Sequence, residues 1–253
     1  MRKSAILSIF YPVITLLILC LIWTVVSVAT DNPLLAPSIL EVLSSIPKIL
    51  SSGDFYLSLG ATMLRVVIGV VVSIVISSSL GYISILHRAG RRIISPIITI
   101  LRALPTLAIT LILLSWLSPR IAPVLVAVLA LTPLFYLNII TPIDMLDEGA
   151  TRLIKCYQIP PRQVSRAYLS EIVPYFLLNL GANISFCIKV VISAEVLSST
   201  YVSIGGMMSE QKLYLDVSSM VAMSIFAILL ALLIEWLCSL AYRGYMRRRG
   251  VRL

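Results

Sequence analysis

The chain has 253 residues, of which 59% are hydrophobic and 12% are charged, and its formal net charge is +9. A soluble domain of this length leaves much of its surface in water, so it cannot bury so large an apolar fraction. Nucleic acid is also excluded as a partner, because the basic residues lie between long apolar runs and not on one solvated face. The composition therefore predicts an all-α integral membrane protein.

Six apolar segments are long enough to cross the hydrocarbon core, which takes about 20 helical residues. They are residues 6–29, 60–86, 94–117, 121–143, 172–198 and 217–241. The first segment begins like a secretory signal peptide, after two basic residues. Its apolar run is longer than the roughly 7–15 residues of a signal peptide, and no cleavage pattern follows it. We therefore predict that it is a retained membrane helix.

The distribution of basic residues orients these helices. With the N-terminus inside, 14 of the 20 Lys and Arg residues fall in the inner segments. Lys48, Arg120 and Lys212 fall in the outer segments, and Arg65 lies near the outer boundary. Because cytoplasmic loops are enriched in Lys and Arg, both termini are predicted to be cytoplasmic.

The second apolar segment carries one face of small residues. Gly69, Ser73, Ser77 and Gly81 follow Arg65 at intervals of four, so they share one side of a helix. Small residues allow two membrane helices to approach closely, which predicts a packing face. The alternative is a polar face that lines a pathway, and Arg65 stands apart from the packing interpretation because it is charged.

Charged residues within the apolar segments are candidates for function, since each costs roughly 2.5–3.5 kcal/mol on insertion scales. Arg102 lies three residues before Pro105, and its side chain can also extend to the cytoplasmic boundary. Glu195 lies near the end of the fifth segment, where a structural salt bridge is the alternative interpretation.

Lys189 lies in the middle of the fifth segment, with Ser185 and Ser193 four residues to either side. This spacing predicts a helix face with a positive centre and two hydroxyl donors, which suits a small anion. Glu195 is six residues away and therefore does not share that face. The partner of Lys189 must come from another helix, from a second copy of the chain, or from a bound solute.

The segment "IKCYQIPPRQV", residues 154–164, is basic and broken by Pro160-Pro161 in the middle of an apolar chain. It predicts two short helices in the loop between helices four and five. The first covers residues 147–157, and the second begins at Pro161, which suits the first turn of a helix. Arg162 and Arg166 lie four apart on one face of the second helix. Two interpretations remain open, a docking surface for a partner protein and a helix pair lying on lipid.

This cytoplasmic loop resembles the EAA loop of ABC importer permeases. Four other stretches resemble the same family, in the same order: "LLAPSILEVLSSIPKIL", "TMLRVVIGVVVSIVISSSLGYISILHR", "LRALPTLAITLILLSWL" and "ISAEVLSSTYVSIGGMM". The closest branch is similar to the nitrate, sulfonate and taurine-type permeases. The first half of the loop departs from the family pattern, because Arg152-Leu153-Ile154 and Gln158 stand where Glu-Ala-Ala and Gly are expected.

The resemblance implies a type I importer permease fold of about six transmembrane helices, with a cytoplasmic coupling loop between helices four and five. It implies one permease domain over residues 1–253. Its parts are a first helix and outer amphipathic segment (1–59), core helices (60–241), the coupling loop (144–171) and a basic cytoplasmic tail (242–253). The implied location is the bacterial cytoplasmic (inner) membrane.

The resemblance also implies partners and site residues. The partners are two ABC ATPase subunits, a second permease copy that is identical or related, an extracytoplasmic substrate-binding protein and membrane lipid. Coupling to the ATPase is expected at Asp147, Arg152, Lys155, Gln158, Pro161, Arg162 and Arg166. The translocation pathway is expected at Arg65, Arg102, Ser185, Lys189, Ser193 and Glu195, and the solute is expected to be a small anion.

Two other classes of function remain as alternatives. The chain has no G-x-x-x-x-G-K-[ST] loop, so we expect no cofactor of its own, and ATP and Mg would be bound by the partner ATPase. A secondary transporter or channel would be favoured by inverted repeats, and none is evident. A membrane enzyme is disfavoured by a single histidine, scattered acids and the lack of a G-x-S-x-G motif or a metal-ligand cluster.

Overall fold

A computed structural model describes residues 2–146 and 161–250, except for the side chains of residues 2–9, 12 and 161–166. In these ranges all regular structure is helical, as predicted. The helices are α1 (Arg2–Thr30), α2 (Ile39–Ser51), α3 (Gly53–Leu86), α4 (Arg88–Ala103), α5 (Thr106–Trp116), α6 (Ala122–Asp144), α7 (Pro161–Ser198), α8 (Ile204–Leu213) and α9 (Val217–Arg248).

Five of these helices, α1, α3, α6, α7 and α9, are long and apolar enough to cross a membrane. The pair α4 and α5 passes the same test together but is bent by 95°. The chain therefore has up to six spans, which confirms the predicted all-α membrane architecture. The predicted span over residues 94–117 is therefore a bent helix pair and not one continuous helix. Pro105 supplies no backbone N–H and disfavours helical geometry at Leu104, which is extended at φ −71 and ψ 127.

Helix boundaries differ from the predictions in two further places. α3 begins at Gly53, so it has 34 residues and starts seven residues before the predicted apolar segment. α7 begins at Pro161, as predicted, but runs without interruption for 38 residues. The predicted short second loop helix is therefore the start of the fifth membrane helix. Residues 162–173 contain no Gly or Pro, so nothing in the sequence ends the helix there.

The short helix α2 begins at a capping box. The Glu41 amide donates to the Ser38 hydroxyl at 3.3 Å, and the Ser38 amide donates to the Glu41 carboxylate at 2.8 Å. These reciprocal bonds satisfy donors that a helix start leaves free. The indole of Trp23 in α1 donates to the carbonyl of Pro37 at 2.9 Å, which ties α1 to the turn before α2.

The small-residue face of α3 packs against α6. The hydroxyl of Ser77 donates to the Thr132 carbonyl at 2.8 Å, and that of Ser73 lies 3.3 Å from the Val128 carbonyl. A methyl group at Gly81 would lie 2.9 Å from the side chain of Ile139, so glycine is what permits this approach. The packing interpretation of this face is confirmed.

Candidate functional site

Arg65 and Glu195 form an ion pair between α3 and α7. Arg65 Nη1 lies 2.8 Å from Glu195 Oε1 and also donates to the Val202 carbonyl at 3.1 Å. The Glu195 side chain is fully buried, and that of Arg65 is 13% exposed. A charge buried in this way is tolerated because its counter-charge and hydrogen bonds are already in place. The structural salt bridge considered for Glu195 is therefore present.

The second carboxylate oxygen of Glu195 fastens the segment that joins α7 to α8. Glu195 Oε2 accepts from the Thr62 hydroxyl at 3.0 Å and from the Gly205 amide at 3.3 Å. The Thr62 oxygen in turn accepts from the amide of Ile204 at 3.0 Å. A methyl group at Gly205 would lie 2.6 Å from the Ile192 carbonyl oxygen, so only glycine fits here. The network holds α3, α7 and the first turn of α8 together.

Lys189 has a different environment on the same helix. Its side chain is exposed, and the only ion pairs among the described side chains are Arg65–Glu195 and Arg91–Asp144. Lys189 and Ser193 line a groove of about 170 Å³. The other lining residues come from α7, α8 and α9 and are Ile188, Ile192, Met208, Ser224, Ala227 and Ile228.

Of the six predicted pathway residues, four therefore form two pairs, and the other two lie apart from them. Arg65 and Glu195 come together in the buried ion pair, and Lys189 and Ser193 come together in the groove. Ser185 is buried and does not line that groove. Arg102 is exposed in the last turn of α4, directly before the break at Leu104. The role of each in a pathway stays a prediction.

Most of the predicted ATPase-coupling residues lie outside the described residues, namely Asp147, Arg152, Lys155 and Gln158. Pro161 is the first residue of α7, and Arg162 and Arg166 lie in its first two turns.

Polar contacts also join the helix ends that border the predicted inner segments. Arg91, near the start of α4, pairs with Asp144 at the end of α6. Arg249 donates to the Ser170 carbonyl at 3.1 Å, which joins the end of α9 to α7. These contacts place the basic segments after α3 and α9 beside the loop-proximal ends of α6 and α7. They agree with the predicted common side, although the orientation in the membrane stays a prediction.

Sequence reasoning did not single out Ser224 and Glu235. Ser224 joins the groove from α9, but serine is common in membrane helices and its position gave no signal. Glu235 is an exposed acid within the sixth apolar segment, and the rule applied to Lys189 also selects it. The pairing of Arg65 with Glu195 was not predicted, because the two residues are 130 positions apart.

These helices define a multi-pass membrane protein in which charged side chains lie within the spanning segments. Residues 73–247 match the family of binding-protein-dependent transport system inner membrane components, and this match covers more than two thirds of the chain. The chain belongs to that family, which is one of membrane permease components of transporters. Comparison with curated proteins gives no match. The predicted family is confirmed, and the nitrate, sulfonate and taurine-type branch stays a prediction.

Proposed function

We propose that the chain is the membrane-spanning permease subunit of an ATP-driven ABC importer, and that it forms the pathway for a small anionic solute delivered by an external binding protein. The family match over residues 73–247 carries this proposal. The chain has no phosphate-binding loop, so the energy would come from a separate ATPase with its own ATP and Mg. A second permease copy, identical or related, would complete the pathway.

The geometry of α7 supports coupling between the two ends of the membrane. Its first residue, Pro161, lies within the segment proposed to receive the ATPase, and Glu195 lies 34 positions further along the same helix. At 1.5 Å per residue this distance is about 50 Å. A force on the loop would then move a continuous helix whose far end is fastened through Glu195 to α8. Closure of the ATPase would in this way alternate the access of the pathway.

Co-purification tests the ATPase partner. A tagged chain is expected to carry an ATPase with it, and Arg162→Glu with Arg166→Glu is expected to abolish that association or to uncouple hydrolysis from uptake. The matched control is Arg247→Glu with Arg248→Glu in the basic tail, which should leave assembly intact. A chain that transports solute after purification without an ATPase would instead support a secondary transporter or channel.

Cysteine labelling of whole cells tests the proposed orientation, in which both termini are cytoplasmic. Lys212 and Arg248 are both exposed, so access of a membrane-impermeant reagent depends on the side of the membrane on which each lies. A cysteine at position 212 is expected to react, and one at position 248 is not. The reverse pattern would overturn the orientation and move the loop to the wrong side for an ATPase.

A further inference from the structure

The groove between α7, α8 and α9 combines a lysine, two serines and a small volume. Ser193 and Ser224 supply hydroxyl groups beside Lys189, and Met208, Ala227 and Ile228 supply an apolar wall. We propose that this groove is a contact site for a small oxyanion on the solute pathway, with Lys189 as its charge and Ser193 and Ser224 as its hydrogen-bonding groups. The inference rests on the proposed function, because it requires a water-filled pathway beside α7.

The charge of Lys189 requires a partner that the described part of the chain does not supply. An ammonium group within a membrane segment is costly unless it meets water or an anion. Among the described side chains no carboxylate lies within ion-pair distance of it. Glu195 is already engaged, because its two oxygens accept from Arg65, Thr62 and Gly205.

Glu235 of a second copy of the chain is also not well placed to pair with Lys189. A two-fold axis along the membrane normal keeps each residue of the copy at its own depth. Glu235 is level with Gly181, since a methyl group on Gly181 would lie 3.2 Å from the Glu235 Cα. Lys189 is eight residues from Gly181, so the two depths differ by about 12 Å. Only full extension of both side chains towards each other would close that gap.

The size and chemistry of the groove select the class of ligand. A volume of about 170 Å³ is below the roughly 300–1,000 Å³ of sites for drug-sized molecules, which suits a compact solute. A lysine offers three N–H donors and each hydroxyl offers one, which matches the several acceptor oxygens of an oxyanion. The Ser224 hydroxyl donates to the Met220 carbonyl at 2.9 Å and must rotate to reach a solute, so Ser193 is the more available donor.

This arrangement also favours release. One flexible lysine and one or two hydroxyl groups hold an anion more weakly than a closed set of buried donors, and a pathway must release what it accepts. The groove would therefore select for a negatively charged solute, whereas the external binding protein would discriminate among anions.

Reaction rates of a reporter cysteine test the site without knowledge of the natural solute. Ala227→Cys places a thiol in the groove and leaves Lys189, Ser193 and Ser224 in place. Cys20, Cys156 and Cys238 are replaced by alanine, and Cys187 is fully buried. The probes are the anionic sulfonatoethyl and the cationic trimethylammonioethyl methanethiosulfonates, applied to the purified complex. Relative to their rates with a free thiol in solution, the anionic probe is expected to be favoured over the cationic probe, and Lys189→Met is expected to lower the anionic-to-cationic rate ratio by about tenfold.

Matched variants separate this local field from general effects. Lys189→Arg should keep the ratio, because it keeps the charge. Lys212→Met removes another exposed lysine and should also keep the ratio, and a reporter at Leu213→Cys should not respond to Lys189→Met. In uptake assays of oxyanion probes such as nitrate and sulfate, Lys189→Met should lower transport, whereas Lys212→Met should not.

Three results would overturn the inference. The first is that neither probe reacts with the cysteine at position 227. The second is that Lys189→Met leaves the rate ratio unchanged. The third is that Glu235→Gln raises the rate ratio, which is the result expected if Glu235 were the counter-charge of Lys189. None of them affects the co-purification test, so an importer without an anion site in this groove and a chain that is not an importer give different outcomes.

Discussion

Two charged residues of α7, Lys189 and Glu195, are only six positions apart, and their environments in the fold are opposite. Glu195 is fully buried, and its oxygens accept from three groups of α3 and α8. Lys189 is exposed, and no acid among the described side chains pairs with it. Both residues are charged and lie within an apolar segment, where inserting a charge carries a penalty. At Glu195 the fold itself offsets this penalty, whereas at Lys189 something outside the described chain must do so.

The largest expected effect is the loss of the Arg65–Glu195 pair. Glu195→Ala leaves the mostly buried Arg65 without its counter-charge and should destabilise the protein by about 3–5 kcal/mol. Arg65→Leu combined with Glu195→Leu removes both charges and should cost less than Glu195→Ala alone. Chemical denaturation of the purified chain in detergent measures both. A double variant that is no more stable than the single variant would show that the network acts through its shape and not through charge balance.

A smaller loss is expected where Gly205 packs against α7. Gly205→Ala places a methyl group against the backbone of Ile192 and Val196 and should cost about 1–3 kcal/mol through overpacking. Gly60→Ala is the matched control, because a methyl group there meets nothing within 4 Å. The control should be neutral or slightly stabilising, since alanine favours a helix over glycine. Equal losses in the two variants would contradict the close approach of α8 to Glu195.

The ion pair between Arg91 and Asp144 is exposed, in contrast to the buried pair of Arg65 and Glu195. Their side chains are 41% and 47% exposed. Water and salt therefore screen the pair, and Asp144→Asn should cost less than about 1 kcal/mol. Unfolding at low and high salt checks this expectation, and the small loss should shrink further at high salt. A loss as large as that of Glu195→Ala would mean that Asp144 has another buried role.

The sequence predicts elements that depend on local pattern. Apolar runs locate the membrane helices, and the four-residue spacing of Gly69, Ser73, Ser77 and Gly81 identifies the face of α3 that meets α6. Each of these features arises within one helix or one turn. The period of the helix therefore suffices to find them.

Features that depend on backbone direction or on distant partners are not predictable in this way. An apolar run over residues 94–117 does not reveal the bend of 95° at Leu104 and Pro105, because hydropathy carries no direction. A single sequence does not pair Arg65 with Glu195 across 130 positions. A single sequence places Lys189, Glu195 and Glu235 alike within apolar segments, and only burial and contacts separate Glu195 from Lys189 and Glu235.

The thermal stability of the purified protein carrying Lys189→Met tests most directly the claim that the two charges on α7 serve different purposes. Lys189 has no ion-pair partner among the described side chains. The midpoint of thermal unfolding of Lys189→Met should therefore stay within about 1 °C of that of the unmodified protein, or rise. In the same experiment Glu195→Ala should lower the midpoint strongly. A loss for Lys189→Met comparable to that for Glu195→Ala would contradict the account, because Lys189 would then hold the structure together as the buried ion pair does.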